Sequence, residues 1–145
     1  IKGIDGSTSE SEIIEILSYF GIKSKQTQLT DNNFTNNYSI EIWGSGKPLR
    51  EFMHVDDLAD ASLFIMHKYD DWQFLNAGSG DEIAIGDLAL MIKDIVGFKG
   101  ALIQNSEKPE GTKRKLMDSE LLNKLGWQSK IDLKSGIDNV YSEYI

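Results

Sequence analysis

The sequence predicts a small α/β fold in which short strands alternate with about four or five helices. Three observations carry that expectation. Residues 39–61 read as strand, glycine turn, extended arm and capped helix. A second short apolar run at residues 72–77 ends in glycines and leads into another amphipathic helix. Helical apolar spacing with capping residues recurs towards both ends of the chain.

Taken in order, Ser9 and Glu12 have capping-box spacing, and Ile13, Ile14, Ile16, Leu17 and Phe20 follow at near-helical intervals. Gly21 can end that helix in the left-handed conformation. The preceding Gly3 and Gly6 have the order of a dinucleotide-binding turn. However, Ser9 stands where that turn needs a third small glycine, so a working cofactor loop is not expected. Residues 24–38 are polar and asparagine-rich with little periodicity, and read as a mobile connector.

Residues 40–43 alternate as a half-buried strand does, and Gly44 to Pro48 break the chain sharply. Residues 49–55 read as extended, with Asp56 or Asp57 as cap of a helix at 57–68 that carries Leu58, Ala61, Ser62, Ile65 and Met66. A strand is expected at 72–77, then a helix at 85–96 through Leu88, Ala89, Ile92 and Ile95, weakened by Gly86 in its first turn. A strand at 101–104 and a polar loop at 105–113 follow, and Leu116–Met117 reads as extended. Asp118 or Ser119 should cap a short helix ending at Gly126, and Asp132 a last helix with Ile137, Val140, Tyr141 and Tyr144 as its buried stripe.

With 145 residues, a 40% hydrophobic fraction and three tryptophans, the chain can bury a real core. It has no cysteine, which excludes disulfides, thiolate nucleophiles and cysteine metal sites, and a reducing cytoplasm is the expected location. No apolar run is long enough to span a bilayer, so no membrane partner is expected. A net charge of −8 argues against a nucleic-acid surface. It does not argue against an anionic small molecule, because Lys108, Lys113, Arg114 and Lys115 form a local basic patch; a solvated loop is the alternative for that patch.

Candidate chemistry is sparse. Tyr19 and Lys23 have the spacing of a tyrosine–lysine catalytic pair, but Gly21 between them should end the helix that would align them. Adjacent Asp56 and Asp57 are explained by capping, and neither His54 nor His67 has a partner at metal-ligand spacing. Ser45–Gly46–Lys47 lacks the first glycine of a P-loop and is followed by Pro48 where serine or threonine is required. No metal site is expected.

Four landmarks then combine: residues 39–61 (SIEIWGSGKPLREFMHVDDLADA), Asn76–Ala77–Gly78–Ser79–Gly80, the run from Lys108–Pro109–Glu110–Gly111–Thr112 to Arg114–Lys115–Leu116, and Leu125–Gly126–Trp127. In this order and spacing they resemble the substrate-binding part of the extended short-chain dehydrogenase/reductases, the NAD-dependent epimerase/dehydratase family. Within that family they are most similar to the GDP-L-fucose synthases. The resemblance implies a divergent or remnant segment at residues 1–38 and a sugar-nucleotide-binding lobe at 39–145, without a complete Rossmann domain. It implies that Trp43, Arg50, Glu110 and Arg114 bind substrate.

Arginine suits a diphosphate because its planar fork donates two parallel bonds, and Arg50 and Arg114 stand against thirteen lysines. The alternative for each is a loop pinned to backbone carbonyls. Trp43 offers a flat face and one N–H donor. Glu110 replaces the family's usual aspartate, and Ala84 its usual threonine cap, at a cost of about 1 kcal/mol.

The family's reaction is an NADPH-dependent epimerisation and reduction giving GDP-L-fucose. Its serine, tyrosine, lysine and dinucleotide fold have no credible copy among these residues. The expectation is therefore a chain that binds a GDP-4-keto-6-deoxy-sugar, is catalytically incomplete alone, binds no NADP by itself, and is completed by a chain supplying the dinucleotide-binding half. The alternatives are a non-catalytic interaction domain using Trp72 and its surroundings, and a lobe of another sugar-nucleotide epimerase or dehydratase.

Overall fold

A computed structural model describes residues 5–30 and 33–145. In chain order its elements are α1 (Glu10–Tyr19), β1 (Ile22–Thr30), β2 (Asn33–Trp43), β3 (Leu49–Glu51), α2 (Val55–Lys68), β4 (Glu82–Ala84), α3 (Ile85–Ile95), β5 (Ala101–Asn105), β6 (Arg114–Lys115), α4 (Glu120–Lys124) and α5 (Leu133–Tyr144). They form two compact units, Ile1–Gly46 with Phe98–Glu110, and Lys47–Gly97 with Gly111–Ile145.

The first unit is a three-stranded sheet of order β1-β2-β5, antiparallel between β1 and β2 and parallel between β2 and β5. Helix α1 starts as its sequence dictates. The Ser9 backbone N–H donates to Glu12 Oε2, and the Glu12 N–H donates back to Ser9 Oγ, a reciprocal capping box. Gly21, with φ of 79°, turns the chain directly into β1. The connector expected at 24–38 is instead paired antiparallel strand over its described residues, 24–30 and 33–38, with Ile22 opposite Ile40 and Thr27 opposite Thr35; residues 31 and 32 lie outside the described residues. A backbone ladder satisfies N–H and C=O groups whatever the side chains, so a polar strand can form without a hydrophobic period to announce it.

The second unit holds a sheet of order β4-β3-β6, with β3 antiparallel to β4 and parallel to β6. Both β4 and β6 are shorter than a hydrophobic period can mark; β4 lies between the strand expected at 72–77 and the helix expected from 85, and β6 directly follows the loop expected at 105–113. The strand expected at 72–77 does not form; Trp72 is 90% exposed in irregular chain. Leu116–Met117 likewise lies just beyond β6 rather than in a strand.

Ala61 of α2, Leu122 of α4 and Trp127 make the buried centre, with Met53, Phe64, Ile65 and Ala77 packed against them. Trp127 keeps its indole N–H satisfied by donating to Asp60 Oδ2 at 2.8 Å. Ala84 is the N-cap of α3 and makes no side-chain capping bond, as its chemistry requires, whereas Asp132 accepts from the Ser135 N–H and caps α5. At α4 the cap residue is Ser119, while the Asp118 carboxylate accepts the Glu120 N–H at 3.0 Å.

The capping of α2 differs from expectation. His54 is its N-cap, and its Nδ1 accepts the Asp56 N–H at 3.2 Å. That contact frees the two aspartates. Asp56 is exposed, with a carboxylate 3.7 Å from His54 Nδ1. Asp57 is buried, and its Oδ2 accepts the backbone N–H groups of Lys130 and Ile131 at 3.0 and 2.9 Å. Asp57 thus ties α2 to the segment before α5, a partner 73 residues away that no local pattern could reveal.

Candidate functional site

In the first unit the strand β2 ends at Trp43, and the chain leaves it through Gly44 and Gly46, both left-handed at φ of 78° and 70°. That turn is held by Glu110, whose Oε1 accepts the Ser45 backbone N–H at 3.0 Å and also bonds the Ser45 hydroxyl. A Cβ on Gly44 would sit 3.4 Å from Glu110, so carboxylate and turn are closely fitted. Trp43 is 60% exposed, and Lys108 Nζ lies 5.3 Å from its ring centroid, a cation–π contact. Glu41, two residues earlier on the same face of β2, is ion-paired with Lys23. Hydrogen bonds from Lys23 and then Asn105, with the charge of Lys108 adding, hold its carboxyl below the usual range. The arrangement presents an aromatic face beside positive charge, at the rim of a rigid turn.

In the second unit Arg50 sits on β3. Its Nη1 donates to the carbonyls of Leu49 and Thr112 at 2.6 and 2.7 Å, and its Nη2 lies 2.8 Å from where a Cβ on Gly111 would stand. The guanidinium therefore braces the loop that follows Glu110, as one of the two sequence readings expected. Arg114 on β6 forks onto Glu82 of β4: Nε donates at 2.8 and 2.9 Å, and Nη2 at 2.7 Å. This bidentate pair lowers the Glu82 pKa and raises that of Arg114. Arg114 is thus committed to a carboxylate of its own sheet.

Glu51, also on β3, was not singled out by the sequence. Its Oε1 accepts the Gly80 N–H at 2.7 Å and its Oε2 the Met117 N–H at 3.1 Å. A Cβ on Gly78 would lie 2.4 Å from Glu51 Oε1, so this glycine makes room for a carboxylate that staples two loops. Lys108 was part of the basic patch, but its placement on Trp43 required the β2–β5 pairing to be known.

The described part of the turn before α1 offers a dinucleotide few open N–H donors. There the Glu12 carboxylate and Ser9 hydroxyl already occupy the helix N-terminus. Asp5 adds a second carboxylate, accepting from Ser7 and Thr8. A pyrophosphate there would meet two negative charges instead of open N–H donors. Tyr19 ends α1 largely exposed while Lys23 lies in β1 against Glu41, so the two share no helical face. Among the described residues no group of acidic, histidine or cysteine side chains could hold a metal ion, and no helix is long and apolar enough to cross a membrane.

Residues 21–78 match the family model described as the NAD dependent epimerase/dehydratase family. The chain is 53% identical over 106 residues to a putative GDP-L-fucose synthase 2 of Arabidopsis thaliana, a match covering 73% of this chain and 32% of that protein. The solved structure of a GDP-6-OMe-4-keto-L-xylo-heptose reductase from Campylobacter jejuni superposes with a TM-score of 0.78 at 39% identity. That match covers 94% of this chain and 38% of the reductase. A GDP-mannoheptose C4 reductase from the same organism, solved with NADP bound, gives a TM-score of 0.66 at 43% identity over 73% of this chain and 34% of its own. The chain spans about a third of the length of the curated relatives it matches.

Proposed function

Because the chain is a relative of the GDP-L-fucose synthases within the NAD dependent epimerase/dehydratase family, we propose that it binds a GDP-linked keto-deoxy-sugar. We propose further that it does so as the substrate-recognition part of a GDP-sugar epimerase-reductase. The observation that carries this reading is Trp43, exposed at the end of β2 beside the rigid Gly44–Gly46 turn, with Lys108 against its face. An exposed indole next to an ammonium suits a ligand that combines flat, apolar surface with phosphate charge.

Trp43 and Arg50 are the proposed principal contacts. Glu110 and Arg114 complete the substrate set, and each already holds a protein partner, Ser45 and Glu82 respectively. Replacing either therefore shifts its loop as well as the affinity. Hydride transfer from NADPH is assigned to a dinucleotide-binding portion of the kind proposed for the longer relatives. These residues by themselves are proposed to bind neither NADP nor metal. The cytoplasm is the proposed location.

Calorimetric titration with GDP-fucose, UDP-galactose and dTDP-glucose tests the reading. Binding of the GDP-sugar alone, lost in Arg50→Ala, supports it. Preference for a UDP- or dTDP-sugar would reassign the chain to another branch of the family, and a folded chain that ignores all three would remove the substrate-binding reading.

A further inference from the structure

The sheet that carries Arg50 is very short. Strand β3 has three residues, β4 three and β6 two, so β6 is registered on β3 by the pairs Leu49–Arg114 and Arg50–Lys115. Strands of this length have few ladder bonds with which to fix their register. Contacts from β3 to the flanking chain supply the rest. Before β6, the Leu49 N–H donates to the Lys113 carbonyl at 2.9 Å, and Arg50 Nη1 donates to the Thr112 carbonyl at 2.7 Å. After β6, Glu51 Oε2 accepts the Met117 N–H at 3.1 Å. Residues 112–117 are thus strung between two neighbouring side chains of β3, one at each end.

Successive side chains of a strand point to opposite faces, so Arg50 and Glu51 hold this segment from the two sides of β3. Glu51 also accepts the Gly80 N–H through Oε1 at 2.7 Å, two residues before β4. A carboxylate is suited to this double task because both of its oxygens accept, whereas a glutamine offers one acceptor. The place of the Arg50 guanidinium depends on the same segment. Its Nη1 bonds the carbonyls of Leu49 and Thr112, and its Nη2 lies 2.8 Å from where a Cβ on Gly111 would stand. A shift of residues 111–112 by about 1 Å would break the bond to Thr112 and release the fork.

We propose that Glu51 is the positioning residue for Arg50. By anchoring Met117 it keeps residues 111–117 in register on β3, and so keeps the guanidinium braced in the orientation that meets a substrate phosphate. The inference rests on the reading of Arg50 as a substrate contact, and extends that site to a residue that acts only through Arg50.

The chain has two arginines, so a nitrogen-edited NMR spectrum of the guanidinium groups contains one probe at the site and one beside it. In the wild type, Arg50 should show the resolved Nη signals of a guanidinium whose rotation is restrained. Glu51→Ala should merge them, while Arg114, forked onto Glu82, keeps its own. Calorimetry with GDP-fucose should show an affinity loss of about tenfold for Glu51→Ala. Asp57→Asn loosens the same unit away from β3, and should leave the Arg50 signals and the affinity within about twofold of wild type. In an Arg50→Lys background, where no planar fork remains to be oriented, Glu51→Ala should cost less than about twofold further. If Glu51→Ala does not fold, Glu51→Gln, which keeps the shape and one acceptor, carries the same expectations at smaller size.

Unchanged Arg50 signals in Glu51→Ala would overturn the proposal. So would the simultaneous release of both arginines, which would make Glu51 a support of the sheet alone, or an equal affinity loss in Asp57→Asn. A wild-type chain that ignores GDP-fucose would remove the substrate reading instead, and the ligand-free arginine spectrum would still decide whether Glu51 positions Arg50.

Discussion

Asp57→Ala offers a direct measure of what holds the second unit together. The carboxylate is 3% exposed and accepts two backbone N–H groups, from Lys130 and Ile131. A hydrogen bond to a charged acceptor contributes about 1.5–3 kcal/mol, and alanine leaves both donors without a partner, so the loss should be about 3–5 kcal/mol. Asp57→Asn keeps a carbonyl oxygen at the same place. Its neutral bonds are weaker, and the cost should fall to about 1–2 kcal/mol. Both variants lose the same favourable charge at the first turn of α2, so the difference between them isolates the acceptor.

Urea unfolding read by tryptophan fluorescence measures this. With a slope of about 2 kcal/mol per molar, the midpoint should fall by about 2 M for alanine and by less than about 1 M for asparagine. Equal, small shifts for the two variants would refute the reasoning, because the buried N–H groups would then have found another acceptor. Since whole domains are stable by only about 5–15 kcal/mol, the alanine variant is expected to sit near the edge of folding.

Ala84→Ser should stabilise the chain by about 0.5–1 kcal/mol, because the N-cap of α3 lacks a side-chain acceptor at extended backbone angles; a rise in the urea midpoint checks it. Gly78→Ala should destabilise, by displacing a Glu51 carboxylate that holds both Gly80 and Met117, and Glu51→Ala should relieve the clash so that the double variant loses less than the sum; a double-mutant cycle measures this. On acidification, Asp60 should contribute a loss of stability. Hydrogen bonds from Lys130 first and then Trp127 hold its carboxyl below its ordinary value of 3.8. Its contribution is therefore fully present above that value and lost as pH falls through the lower folded-state value. Asp60→Asn should flatten the acid limb of a stability-against-pH curve. Lys108→Met should weaken GDP-fucose binding severalfold, by removing the cation on Trp43 while leaving the β2–β5 ladder intact; calorimetry checks it.

The helices were the legible part of the fold, for a local reason. Ser9 with Glu12 and Asp132 with Ser135 settle helix starts within four residues. The apolar intervals behind them do not settle the buried face: Val140 and Tyr144 of the stripe expected to be buried are 55% and 85% exposed. The β1–β2 pairing was not legible, because residues 24–38 carry no apolar period and the described ones are ordered by pairing along the backbone. The aspartates at the head of α2 were misassigned for a different reason. His54 already supplied the capping acceptor, and the true partners of Asp57 lie more than seventy residues downstream.

The candidate site followed the same division. Trp43 at the strand end and the break at Gly44–Gly46 were visible in the sequence. The grip of Glu110 on Ser45, of Arg114 on Glu82 and of Glu51 on two loops depends on contacts closed only by folding. Arg50 illustrates the limit well: both of its expected roles call for a guanidinium at the loop, and only the folded geometry shows it bonded to Leu49 and Thr112.

The most direct measurement is a two-dimensional amide spectrum of the chain, recorded with and without millimolar GDP-fucose and with the Trp43 indole resonance assigned through a Trp43→Phe variant. The account predicts dispersed peaks and a saturable shift of that one indole, absent with dTDP-glucose and abolished by Arg50→Ala. A dispersed spectrum in which the Trp43 indole stays fixed at every GDP-fucose concentration would contradict it.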